Sequence, residues 1–564
     1  MHNNSDKPMI VQGDMTILLE VNSPLYAKAR DALAVFAELR KSPDYMHTYA
    51  ITPLSLWNAA ASGHGVSGIK NSLHEYSKYE VPPNVITEIE EYTSRFGKLK
   101  LLPGGENNLI LKSEDPYLMP EIKNHKSIKS LIEKEIDEST FTVSALNRGD
   151  LKSKLINIGF PAEDLAGYRK GEPYYFNLRD QTENGENFSL RTYQKEAADI
   201  FWASGTSKGG SGTVVLPCGA GKTIVGMASM HKAQTETLIL VTNNTAAKQW
   251  KRELLDKTDI KDEDIGEYSG ERKEIRPVTI ATYQIIVYRD KKKNYPHFEI
   301  FGRKNWGMIV YDEVHLLPAP VFRITAGIQA TRRLGLTATL IREDGKEKDV
   351  FSLIGPKKYD VPWKTMEKQG WIAAADCTEI RVDIPDDRKM EYAVSTNRSK
   401  IRISGENPEK IKIAVELMKK HKDRRILIIG QYISQLEELA HETKTPLITG
   451  KTKNEEREKL YRKFRNGEIE ALTVSKVGNF SVDLPDANIC IQVSGTFGSR
   501  QEEAQRLGRI LRPKKDGRKA HFYTIVTKNS RDQDFASNRQ KFLTEQGYSY
   551  FITSASELLK EGEK

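Results

Sequence analysis

From about residue 213 onward, short runs of consecutive apolar residues recur. They are separated by longer stretches whose apolar positions return at helical spacing. Runs at 213–216, 238–241, 278–281, 308–311 and 334–337 make a first set; runs at 426–429, 447–449, 472–474, 489–493 and 522–526 make a second. A strand apolar on both faces belongs to a parallel sheet covered by helices on each side. Two such sets predict two α/β lobes, which we place at 186–365 and 366–555, with a short tail at 556–564.

The front of the chain reads differently. Alternation at 15–21 predicts a strand. Ser23 as cap and Pro24 as first residue then predict a helix to Leu39, with Leu25, Ala29, Ala32, Phe36 and Leu39 as its buried stripe. Thr52 and Pro53 open a second helix that carries Leu54, Leu56 and Trp57 and stops at Gly63. A small strand–helix unit follows at 141–167, and a polar, turn-rich stretch at 180–187 reads as a linker. These signals predict a mixed α+β region at 1–135 and a smaller unit with its linker at 136–185.

Composition narrows the reading. With 564 residues the chain is too long for one core, so three or four domains are expected. No apolar run approaches the ~18 residues of a membrane span, and the first residues lack the pattern of a secretion signal. A cytoplasmic location without membrane contact is expected. Cys218, Cys377 and Cys490 lie far apart, so any metal falls to oxygen ligands. Charge is uneven: residues 1–185 carry a net −4 and the remainder +13. That asymmetry fits a polyanion partner for the rear half, and equally a solvated basic surface.

Three motifs carry chemistry. The first is LPCGAGKT at 216–223, between an apolar strand and a helical stretch. Glycine lets a backbone wrap a phosphate closely; here Pro217, Cys218, Gly219, Ala220 and Gly221 form the wrap. Lys222 supplies charge to the β/γ-phosphates and Thr223 a hydroxyl for Mg²⁺. Leu216 stands where the general formula has a glycine, so the loop alone is also compatible with an ordinary turn. The second motif removes that alternative. The run at 308–311 ends in Asp312, Glu313, Val314 and His315, where Asp312 can hold the metal and Glu313 can act as general base toward water. Gln194, with Arg191 beside it, precedes the loop by one helix and can read an adenine edge. The third motif is QRLGRILR at 505–512. Gln505, Arg509 and Arg512 fit the delivery of positive charge to a γ-phosphate, with the two arginines three apart on one helical face. The cofactors so implied are ATP and Mg²⁺.

The match then becomes closer. LGLTATL at 334–340 runs directly into Ile341, Arg342, Glu343 and Asp344. SKVGNFSVDLP at 475–485, SRQEEA at 499–504 running into QRLGRILRPK, and ITPLSLWNAAASG at 51–63 complete the set. Together they resemble the XPB family of superfamily 2 DNA repair helicases over nearly the whole chain. The resemblance implies tandem RecA-like lobes, parallel sheets flanked by helices, behind the mixed α+β region. It implies ATP-dependent 3′→5′ unwinding of duplex DNA, with a domain near 136–185 that senses distorted DNA and a separate nuclease as a possible partner. It assigns duplex opening to Arg342, Glu343 and Asp344, and strand contacts to Thr242, Asn243, Thr282, Gly478 and Ser481. Gly478 and Asp483 join the nucleotide site, His315 a coupling role, and a short thumb-like insertion falls at 388–410. Two further activities fit the same motifs: a duplex translocase that does not unwind, and an ATP-gated switch that binds damaged DNA.

Overall fold

The computed structural model describes residues 6–42, 45–105, 107–217, 219–340, 345–361, 363–369, 374–475, 487–495, 519–545, 548 and 550–562. They form two compact units: residues 1–216 with 221–360, and residues 361–564 with the segment 217–220.

The first unit holds three sheets. Strands β1 (Met9–Val11), β2 (Thr16–Glu20), β3 (Glu38–Lys41) and β4 (Met46–Ala50) pair antiparallel in the order β1-β2-β4-β3. Alternating burial along β2 and β4 puts one face on a core of Ile17, Leu19, Leu33, Phe36 and Tyr49. The expected first helix is shorter than its pattern, running Tyr26–Phe36. Ser23 Oγ accepts from Leu25 N in the preceding turn, and Leu39 lies in β3. The charged ELRK segment pairs with β4, so tertiary pairing overrides the helical periodicity there. The second expected helix forms at Pro53–Ala61, with Thr52 and Ser55 closing a capping box and Gly63 beyond it at φ +88°.

Strands β5 (Leu99–Pro103), β6 (Asn108–Ser113), β7 (Ile132–Asp137), β8 (Thr140–Ser144) and β9 (Ala162–Asp164) form a second sheet in the order β7-β8-β6-β5-β9. The boundary expected at residue 135 falls inside β7, because this sheet and its core of Leu101, Leu111, Phe141, Val143 and Leu155 begin at residue 99. The helix Arg148–Asn157 packs from this sheet against the helix Ala319–Gly327; a Cβ at Gly149 would lie 2.4 Å from the Ala326 carbonyl oxygen. Close backbone approach therefore fixes glycine there.

The third sheet is the expected first lobe. Strands β10 (Ser211–Val215), β11 (Thr237–Val241), β12 (Ile265–Tyr268), β13 (Val278–Thr282), β14 (Met308–Asp312), β15 (Arg332–Thr337) and β16 (Lys357–Asp360) are all parallel, in the order β12-β13-β11-β14-β15-β10-β16. Strands β10, β11 and β13 are buried along their whole length.

The second unit repeats the plan. Strands β17 (Ala375–Val382), β18 (Ile426–Gly430), β19 (Leu447–Ile448), β20 (Ala471–Ser475), β21 (Ile489–Gln492), β22 (Ala520–Thr527) and β23 (Tyr550–Ser554) are parallel, in the order β19-β20-β18-β21-β22-β17-β23. The segment expected at 388–410 takes in most of the helix Asp386–Val394 and all of the helix Asn397–Gly405. Its last residue, Lys410, belongs instead to the core: it is fully buried in the helix Glu409–Lys420 and pairs with Asp532 at 2.5 Å. No helix among the described residues is long and apolar enough to cross a membrane.

Candidate nucleotide site

In an open parallel sheet, ligands bind outside the carboxyl ends of the strands. Strands β14, β15 and β10 are neighbours in that order, with Asp312 in register with Leu336 and Val215 with Thr337. Their ends therefore bring Leu216, the acidic pair and the LTAT segment side by side. Gly219 and Gly221 take φ +83° and +78°, left-handed backbone that glycine adopts without penalty. Lys222 and Thr223 open the helix Lys222–Ala233, whose N-terminal amides and dipole favour an anion.

Lys222 Nζ lies 3.5 Å from Glu313 Oε1, with both side chains mostly withdrawn from solvent. Asp312 Oδ2 accepts from Trp250 Nε1 at 2.8 Å, and its Oδ1 from the Glu313 amide at 3.0 Å. Tyr283 OH donates to the Asp312 carbonyl at 2.9 Å. Burial, and then the Glu313 charge, push the Asp312 carboxyl up to about 6, against the Trp250 hydrogen bond and Lys222. Among the described residues, two adjacent carboxylates face one lysine. Glu313 itself has φ +49°, a left-handed conformation unusual for a side chain with a Cβ. His315 Nδ1 lies 3.4 Å from Glu313 Oε2 and 2.7 Å from Thr337 Oγ1, linking the acidic pair to the LTAT segment.

On the other flank, Gln194 caps the helix Thr192–Trp202 by accepting from the Arg191 amide at 3.0 Å, and Arg191 reaches Tyr193 OH. A Cβ at Gly221 would lie 2.6 Å from Gln194 Nε2, so the buried amide sits directly on the last glycine of the phosphate loop. Gln194, Gly221, Lys222, Asp312 and Glu313 are thus gathered at one edge.

The candidate strand contacts serve local structure. Asn243 Oδ1 caps the helix Asn244–Lys257 through Ala246 N at 3.0 Å, while Asn243 Nδ2 donates to Thr242 Oγ1. Thr282 Oγ1 caps the short helix Tyr283–Ile286, and the residue is almost wholly buried. Cys218, Arg342, Glu343, Asp344, Gly478, Ser481, Asp483, Gln505, Arg509 and Arg512 lie outside the described residues. Trp250 and Tyr283, which fix Asp312, escaped the sequence reading. Ala247, Trp250 and Leu254 recur at helical spacing and signal only a packed stripe, and Tyr283 follows a strand end with no motif of its own.

The chain is similar to known proteins over nearly its whole length. The DNA 3′-5′ helicase XPB of Mycobacterium tuberculosis is 53% identical over 98% of this chain and 99% of its own length. The chain belongs to the XPB family. A second XPB relative, from Kineococcus radiotolerans, is 51% identical over 98% of both chains. More distant is the "General transcription and DNA repair factor IIH helicase/translocase subunit XPB" of Enterocytozoon bieneusi, 33% identical over 97% of this chain and 93% of its own. Residues 366–564 match the family described as ERCC3/RAD25/XPB C-terminal helicase, and 187–342 that described as type III restriction enzyme, res subunit. Residues 9–137 match one described as helicase conserved C-terminal domain. XPB membership carries with it the use of ATP and the RecA-like character of the two parallel-sheet lobes.

Proposed function

We propose that this chain is an ATP-driven superfamily 2 DNA helicase that moves 3′→5′ and opens duplex DNA in the cytoplasm in the service of repair. The observation that carries this reading is the Lys222–Glu313 pair beside half-buried Asp312 at the end of β14, in a chain 53% identical to a named 3′-5′ helicase. Pro217, Cys218, Gly219, Ala220 and Gly221 cradle the phosphates with their backbone, and Lys222 binds the β/γ-phosphates. The adjacent carboxylates Asp312 and Glu313, at the strand end beside the helix that Thr223 helps to open, are the oxygen donors a hard divalent cation takes. Asp312 and the Thr223 hydroxyl are the oxygen ligands for Mg²⁺, which when bound neutralises charge on the phosphates. Glu313 polarises the attacking water, and Gln194 with Arg191 orients the adenine. Gln505, Arg509 and Arg512 bring positive charge to the transferred group, with Gly478 and Asp483 on the nucleotide.

Thr242, Asn243, Thr282 and Ser481 hold the strand by its phosphates, so contacts are independent of base sequence. Arg342, Glu343 and Asp344 separate the strands. The unit near 136–185 meets distorted DNA, the insertion near 388–410 acts as the thumb, and strand cutting falls to a separate nuclease.

Nucleic-acid stimulation of ATP hydrolysis tests the partner class. Single-stranded DNA should raise the rate well above that of equal-length RNA, and the stimulation should fall steeply with salt as phosphate contacts are screened. Equal stimulation by RNA, or none by DNA, would remove DNA as the track.

A further inference from the structure

Two hydrogen bonds in the first unit have no part in the chemistry proposed for the nucleotide site, and both end on Asp312. Trp250 Nε1 reaches the carboxylate at 2.8 Å and Tyr283 OH the backbone carbonyl at 2.9 Å. Both rings are almost wholly buried. Their places in the chain give the pair its interest. Trp250 lies on the helix Asn244–Lys257, two turns and about 10 Å along the axis from the Asn243 cap. Tyr283 directly follows Thr282, the cap of its own short helix. Each first-unit segment assigned to the DNA strand therefore sends one polar side chain onto the same residue.

The indole is also held rigidly. A Cβ at Gly226, on the helix that begins with Lys222, would lie 2.5 Å from Trp250 Cη2, so the ring is wedged between that helix and its own. A buried indole N–H needs a partner, and a backbone carbonyl would satisfy it equally well. Here the acceptor is the carboxylate assigned to the metal.

We propose that Trp250 and Tyr283 are positioning residues that tie Asp312 to the two strand-binding segments, so that DNA and the metal–nucleotide complex each report on the other. This rests on the reading of Asp312 as the metal ligand. A displacement of either cap is passed along a short rigid element to the carboxylate or to its main chain. Such coupling between binding free energies is reciprocal.

The test uses the full chain with ¹⁵N-indole-labelled tryptophan. Six tryptophans give six indole signals, and that of Trp250 is the one lost in Trp250→Phe. If that variant does not fold, Asp312→Asn, which changes only the acceptor, identifies the same signal by its shift. The Trp250 signal should move on addition of single-stranded DNA without nucleotide, and again on addition of MgCl₂ with a non-hydrolysable ATP analogue. Tyr283→Phe should reduce the first movement. Trp250→Phe should raise the Mg²⁺ concentration for half-maximal ATP hydrolysis about tenfold, the scale set by groups that orient metal ligands, with little change in KM for ATP. A signal that follows Mg²⁺ and nucleotide but ignores DNA overturns the coupling and leaves Trp250 a local prop. A signal that follows neither, while Asp312→Asn still loses Mg²⁺-dependent hydrolysis, overturns both positioning roles and spares the metal assignment. If Asp312→Asn keeps normal Mg²⁺ dependence, the metal assignment itself falls.

Discussion

Glu313→Gln should lower kcat for DNA-stimulated ATP hydrolysis by about 10²- to 10⁴-fold, the range supplied by a positioned general base, while ATP still binds. Glutamine keeps the length and shape of the side chain, so the left-handed backbone at this position, φ +49°, meets no new steric demand. What is lost is the carboxylate that accepts the proton of the attacking water. Lys222, 3.5 Å from Glu313 Oε1, is then released from its carboxylate partner toward the phosphates, so KM for ATP should hold or fall. That split separates loss of chemistry from loss of binding. Steady-state hydrolysis together with fluorescent-nucleotide binding reads both quantities. A variant that hydrolyses ATP within tenfold of the parent, on the scale above, would remove Glu313 as the base.

The largest stability effect is expected far from the nucleotide, at Asp164→Ala. Asp164, at the end of β9, accepts from Arg148 at 2.7 and 3.1 Å and pairs with Lys152 at 3.0 Å; all three side chains are at most a tenth exposed. Lys152 also donates to Gln329 Oε1 at 2.9 Å, carrying the cluster across to the lobe of β10–β16. Burial pushes the Asp164 carboxyl up, but the Lys152 ammonium and the Arg148 guanidinium hold it well below the usual carboxylate range. Removing the shared anion strands two buried cations, a loss of about 3–5 kcal/mol.

The pH dependence follows from the signs. A depressed carboxyl contributes stability above its unfolded value of about 3.9 and loses it as pH falls, so the parent should weaken in acid through this group more than the variant does. Lys152 is already lowered to about 8 by burial, with Asp164 opposing that shift. Without Asp164 it sheds its proton still more readily, so the part of the gap between variant and parent that comes from Lys152 should narrow as pH rises toward 8 and be closed above it. Urea unfolding from about pH 2 to about pH 9 measures both trends. A difference that is small at pH 7 and flat with pH would show that the cluster is not a structural clamp.

Much of this was legible in the sequence, for a physical reason. Strands β10, β11, β13 and β14 are buried on both faces and so appear as unbroken apolar runs. The phosphate loop and Asp312–Glu313 must follow such strands to reach the sheet's carboxyl edge. In the two lobes, the strands the sequence concealed stand at or next to a sheet edge. IGEY of β12, KKYD of β16, ADCTEIRV of β17 and YFITS of β23 carry charged or polar side chains that solvent tolerates there, which dilutes the apolar signal. ELRK of β3 read as the end of a helix because Leu39 falls in helical register with Phe36. In the site, residue types were legible and their support was not. Trp250 looks like any core residue of an amphipathic helix until its N–H is seen to end on Asp312. The buried Arg148–Asp164–Lys152 cluster lies in a stretch whose charges resemble a solvated surface.

The most direct measurement is ATP-dependent strand separation on two forked duplexes of identical sequence, one able to load the protein on a 3′ tail and the other on a 5′ tail only. The expected result is unwinding of the 3′-tailed substrate, little on the 5′-tailed one, and none on either with Glu313→Gln. Vigorous DNA-stimulated hydrolysis with no strands separated on either substrate would contradict it, and would place the chain among translocases or ATP-gated binding switches.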